Sequence, residues 1–166
     1  IDGYVSKEED WERLENKFVS YGGDNFSLLL IEDTKFVYAY VKVIDKNIVY
    51  RNPRYIPLDS SDHLRIEYLD SEKQLHRLVL LAEGQGGVSV YEVNKDWQSW
   101  KTGKHISAVY GVWQETSIGY DIELRLPKSW LESEHRLSFS LVNVFDENQR
   151  YPDTIASTQV LDNELL

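Results

Sequence analysis

The chain has 166 residues, no cysteine and no methionine, and a formal charge of −10 from 28 acidic against 18 basic side chains. This length suits one domain with a single self-supporting core. Without cysteine there is no disulfide, thiolate nucleophile or thiolate zinc site. No apolar run approaches the ~20 residues that cross a bilayer, and the negative field disfavours nucleic acid and anionic membrane surfaces.

Five Trp, eleven Tyr and five Phe favour strands. Residues 6–15, SKEEDWERLE, place Glu9 three after Ser6, the spacing of a capping box, with Trp11 and Leu14 on one face; a short helix is expected. YGGDN at 21–25 is a turn. FSLLLIED (26–33) and KFVYAYVKVID (35–45) then read as a hairpin across a tight turn, the second strand carrying Val37, Ala39, Val41 and Val43 on one face. Residues 46–61, with two prolines, Arg51 and Arg54, form a long loop of the kind that carries binding residues.

DHLRIEYLD (62–70) alternates Leu64, Ile66 and Tyr68 against His63, Arg65 and Glu67, a half-buried strand. QLHRLVLLA (74–82) and GGVSVYEV (86–93) extend it into a three-strand meander, followed by the polar loop NKDWQSWKTGKH (94–105). AVYGVWQE (108–115), SIGYDIELRLPKSW (117–130) and RLSFSLVNVFDEN (136–148) supply further strands. Pro127, unable to donate to a ladder, ends the penultimate one before a helical turn. Residues from 149 have weak pattern and read as a tail. The expected fold is mainly β, an antiparallel sandwich of jelly-roll or immunoglobulin-like layers with short N-terminal and late helical turns, and residues 1–166 form one domain.

Three candidate chemistries are weighed against plainer readings. Asp121 and Glu123 share a strand face, the arrangement of a glycosidase carboxylate pair, but their polar neighbours read as a solvent face with Arg125. The histidines at 63, 76, 105 and 135 lack metal spacing. Asp45, Asp59, Asp62 and Asp70 near strand ends read as turn residues, since no calcium loop is present. The chain is therefore expected to have no catalytic residue, metal or cofactor.

The tryptophans point to binding. Trp97 and Trp100 sit in a polar loop without apolar periodicity, where a large ring serves as a stacking platform for sugar C–H faces. Trp113 opposes Val112 in parity, so one of the two faces outward, and Gln98 and Gln114 lie nearby in sequence. These five residues, Trp97, Gln98, Trp100, Trp113 and Gln114, are the candidate ligand contacts. Trp11 and Trp130 are expected to plug the sandwich edges.

In chain order, IDGYVSKEEDW, KFVYAYVKVID, SSDHLRIEYLD, GYDIELRLPKSWL and RLSFSLVNVFDEN resemble the family 9 carbohydrate-binding modules and their DOMON-like relatives over about residues 1–146. The resemblance implies a β-sandwich binding module without catalysis. The opening IDGY with Trp11 also looks like the extracytoplasmic sensor region of membrane histidine kinases of the proteobacterial dedicated sortase system. That likeness implies a periplasmic ligand-sensing domain of a two-component system, excised from a dimeric parent in the inner membrane. Its partner would be a small molecule, a glycan or a periplasmic protein. The alternative is a carbohydrate-binding module appended to a secreted enzyme.

Overall fold

The computed structural model describes residues 18–21, 25–95 and 99–158. The expected helix at 6–15, and Trp97 and Gln98 of the candidate contacts, lie outside them.

Twelve strands build two six-stranded antiparallel sheets among the described residues. The first, in order β1-β2-β3-β10-β9-β6, contains β1 (Val19–Tyr21), β2 (Phe26–Glu32), β3 (Phe36–Ile44), β10 (Gly119–Pro127), β9 (Tyr110–Glu115) and β6 (Gly86–Gly87). The second, β12-β11-β4-β5-β7-β8, contains β12 (Pro152–Ser157), β11 (Leu137–Val144), β4 (His63–Leu69), β5 (Leu75–Leu81), β7 (Ser89–Val93) and β8 (Lys104–Ile106). The sandwich, the β2–β3 hairpin and the β4–β5–β7 meander follow the sequence pattern. The core lies between the layers: Val37, Ala39, Val41 and Val43 from β3, and Tyr120, Ile122, Leu124 and Leu126 from β10, meet Leu64 and Ile66 from β4 and Phe139 from β11. Period-two alternation puts these side chains on one face of each strand.

Three elements differ from expectation. Residues 152–157, read as tail, form β12, which pairs with β11 through Ala156 opposite Leu141; an edge strand needs one apolar face only in part, so its pattern is weak. GGVSVYEV divides: Gly86 and Gly87 pair with β9 of the first sheet, and Ser89–Val93 with β5 of the second. Gly86, at φ 118°, makes that crossing in a conformation that disfavours side chains. The outer face of β10 is not a solvent face: Glu123 is 1% exposed, and the Tyr40 hydroxyl donates to Asp121 Oδ2 at 2.8 Å. Phe18, Ile31 and Tyr38 pack with Leu29 and Tyr40 on that side.

The β3–β10 register depends on one glycine. A Cβ on Gly119 would stand 2.1 Å from the Val43 carbonyl oxygen and 2.6 Å from the Asp45 nitrogen. Gly119→Ala is expected to lose about 2–3 kcal/mol in chemical denaturation, because backbone must move to admit the methyl. Unchanged stability would contradict this register.

Candidate functional site

The strand pattern that builds the core fails at one end of the second sheet. Along β5, Leu80 and Leu78 face inward and His76 comes next; along β7, Val90 is followed by Glu92; along β8, Ile106 is preceded by Lys104. Glu92 stands opposite Leu78 and Lys104, and Tyr68 opposite His76, so a Glu92–Lys104 pair and a Tyr68–His76 pair occupy adjacent rows of the inward face across four strands. Polar side chains at inward parity break the local rule of the fold, and such breaks concentrate at functional sites.

Two adjoining cavities of about 700 and 580 Å³ share Asp70, His76, Glu92 and Lys104. They form an open groove across the end of the sandwich. The first is walled by Asn94, Lys95, Thr102 and Gly103, the two ends of the polar loop that contains the expected tryptophans. The second runs beneath Trp130, with Ser71, Ser107 and Ser129 at its rim.

Local structure positions each group. Asp70 closes the β4–β5 turn: its Oδ1 accepts the N–H groups of Glu72 and Gln74, both at 2.9 Å, around Lys73 at φ 62°. Pro127 ends β10 and a 3-10 turn, Lys128–Trp130, follows. That turn is stitched to both sheets, Lys128 N–H donating to the Lys35 carbonyl at 2.8 Å and Glu132 N–H to the Leu69 carbonyl at 2.9 Å. Trp130 is thereby held over the groove rather than serving only as an edge plug. Its ring stacks on Tyr68 at 6.3 Å and 20°, and Tyr68 stacks on His76 at 4.8 Å and 8°.

His76 lies between two carboxylates. Nδ1 is 2.8 Å from Glu92 Oε2, and Nε2 is 2.8 Å from Asp70 Oδ2. Ionised carboxylates only accept, so both ring nitrogens must carry hydrogen for both contacts to attract. Partial burial disfavours the charged ring, but the hydrogen bonds and charges of Asp70 and Glu92 outweigh it and raise the His76 pKa above its ordinary value. The His76 hydrogen bond and the Gln74 N–H lower that of Asp70. Aromatic faces, carboxylates and a cation lining one groove can stack on and hydrogen-bond a polyhydroxylated ligand.

The candidate contacts are dispersed. Trp113 is 1% exposed, stacked on Tyr120 at 4.0 Å and 17°; it is a core residue, and its expectation as a ligand contact is corrected. Parity explains this, because Trp113 and Tyr120 both face inward and their rings together fill the sandwich. Gln114 takes the opposite face of the first sheet, its amide donating to Gln85 Oε1. Trp100 lies across the outer face of the second sheet, packed with Leu58, Val79, Leu81 and Val93. Its ring is 3.7 Å from the Arg77 guanidinium and 4.7 Å from that of Arg65. Under this cover His63, expected at a solvent face, is fully buried: it meets the Ser61 carbonyl at 2.8 Å through Nδ1 and accepts from Arg65 Nε at 3.1 Å. Burial pushes its pKa down to about 3, so it stays neutral. Trp100 and Gln114 therefore stand on opposite outer faces.

The opposite end of the sandwich holds a second polar group with a structural task. Asp62, 1% exposed, accepts the Val49 N–H at 2.8 Å and the Val144 N–H at 3.0 Å. Burial, with the neighbouring Asp45 carboxyl, pushes its pKa up to about 8. Asp45 Oδ2 has no hydrogen-bond partner, and a proton held on Asp62 is what can supply one.

Sequence comparison supports no assignment: no family model matches the chain, and no curated protein matches it significantly. Among solved structures, a family 9 carbohydrate-binding module from Caldicellulosiruptor kristjanssonii in complex with cellotriose is similar, with a TM-score of 0.56 and 16% identity over 95% of this chain and 77% of that one. The module in complex with glucose gives the same TM-score and identity, with 79% of its chain covered. At this identity the likeness is one of fold: the chain is a β-sandwich built like the family 9 carbohydrate-binding modules.

Proposed function

We propose that this domain is a non-catalytic carbohydrate-binding module whose ligand lies in the end groove, one sugar face against Trp130 and its hydroxyls on Asp70, Glu92 and Lys104. The observation that carries this reading is the Trp130–Tyr68–His76 stack beside carboxylates at positions where strand parity calls for apolar residues. The sandwich shared with a module crystallised with cellotriose and glucose supports it. Asp70 and Glu92 each commit an oxygen to His76, which argues against their acting as an acid and nucleophile pair.

Calorimetry with cellotriose and glucose, then xylan and cell-wall oligosaccharides, tests it. Heat of binding is expected in the wild type, and Trp130→Ala is expected to lose about 2 kcal/mol, roughly thirtyfold in Kd. No heat with any glycan, or equal affinity in the variant, contradicts it.

A second reading is the extracytoplasmic ligand-sensing domain of a membrane sensor histidine kinase, periplasmic, with a dimeric parent in the inner membrane. It rests on the opening IDGY and Trp11. A ligand would signal by binding two states of the parent unequally. The full reading frame tests it: without membrane helices flanking this domain, the sensor reading falls.

A further inference from the structure

The groove contains a charged imidazole whose two partners are not equally held. Asp70 is fixed from the backbone side, with Oδ1 taken by the Glu72 and Gln74 N–H groups and Oδ2 facing His76. The Glu92 carboxylate is held by His76 alone among the described residues. A neutral imidazole has one N–H and can keep only one of these contacts; at the other, a ring lone pair would face a carboxylate at 2.8 Å and repel it. The anchored carboxylate keeps the hydrogen. The unanchored one is released.

We propose that His76 is a proton-operated latch on the groove: protonated, it ties Glu92 to the floor beside Asp70; neutral, it holds Asp70 and frees Glu92 to accept a sugar hydroxyl. The proposal rests on the glycan-binding reading of the same groove and adds its regulation. The direction follows from what Glu92 has to offer, since a carboxylate oxygen occupied by an imidazolium cannot also take the O–H of a ligand at full strength.

The surrounding charges agree. From β4, Tyr68 presents a flat ring to His76; from the β4–β5 turn comes Asp70, and from β7 Glu92. From β8, Lys104 stands across from Glu92 and offers the released carboxylate a cationic neighbour. Lys95 is engaged with Gln74 Oε1 at 2.8 Å at the far rim, and Trp130 and Ser129 in the turn above bring no charge. The net raising of the His76 pKa by Asp70 and Glu92 places the transition above about 6.5, the ordinary value for histidine.

Long-range nitrogen–proton spectra of the ligand-free domain read the latch directly. Two protonated ring nitrogens are expected at pH 6, with a midpoint above 6.5; as pH rises Nδ1 loses its hydrogen and Nε2 keeps it. A midpoint at or below 6.5, or loss from Nε2, overturns the proposal. Cellotriose calorimetry at pH 6 and 8.5 reads its consequence: wild-type affinity is expected to rise about tenfold, within the usual range of coupling between sites, and His76→Gln to be flat. By reciprocity, saturating cellotriose should lower the midpoint by about one pH unit. Binding that is flat or weaker at pH 8.5 in the wild type overturns the latch and leaves the glycan reading standing. Absence of binding at both pH values removes the glycan reading and, with it, the latch as a regulator of sugar binding. The ring-nitrogen titration then decides the proton-dependent release of Glu92.

Discussion

Asp62→Ala is expected to lower the free energy of unfolding by about 3–5 kcal/mol at pH 5, where the wild type is well protonated at this site. The substitution leaves the buried Val49 and Val144 N–H groups without an acceptor, and each orphaned donor costs about 1–3 kcal/mol. Asp62→Asn keeps one acceptor and offers Asp45 a permanent donor, so its loss should be less than half as large. The pair of variants also separates charge from hydrogen bonding. The folded pKa of Asp62 is raised, up to about 8, against about 4 for an unfolded aspartate. Between these values the folded chain keeps a proton that the unfolded chain has released. Stability from this group is thus full below about pH 4 and declines as pH rises toward 8, at up to about 1.4 kcal/mol per pH unit. Denaturant titrations at pH 5 and 8 should show this decline in the wild type and a flatter profile in Asp62→Asn. A wild type that gains stability over that interval, with Asp62→Asn behaving identically, would contradict the shared-proton account of Asp45 and Asp62.

Trp113→Ala is expected to cost a further class of energy, packing rather than polarity. The side chain is among the largest fully buried ones and lies between Tyr120 and Tyr50, 4.0 and 6.0 Å away. Truncating it opens a cavity that the stacked Tyr120 cannot fill, with a loss of about 3–5 kcal/mol. Cellotriose affinity of the folded variant should stay at the wild-type value, because Trp113 does not line the groove. Wild-type stability with lost binding would instead make Trp113 a ligand contact and contradict its place in the core.

The comparison of Trp113 with Trp130 shows how much was legible in the sequence. Period-two alternation identifies the sandwich, the hairpin and the meander, because one-sided burial imposes that period on β3, β4 and β10. The same logic sees that Trp113 and Val112 cannot both face inward, but it cannot say which does; the decision belongs to Tyr120, whose ring lies on Trp113 from the neighbouring strand. The edge strand β12 escapes because an edge is asked for little apolar surface. The groove escapes for a different reason. Asp70, His76, Glu92 and Lys104 are scattered over 35 positions and meet only through the registers of β4, β5, β7 and β8. Once those strands are aligned, three polar groups on the inward face, His76, Glu92 and Lys104, are the signal that could have found it. The two ends of the tryptophan-bearing loop wall the groove, whereas Trp100 itself packs over Arg65 and Arg77.

Following the five tryptophan indole N–H signals in nitrogen–proton correlation spectra during a cellotriose titration tests the glycan groove most directly. The account predicts that the Trp130 signal moves with saturation while the buried Trp113 signal stays in place. A Trp130 signal that remains stationary while cellotriose is bound, or a spectrum in which no signal moves at saturating cellotriose, would contradict it.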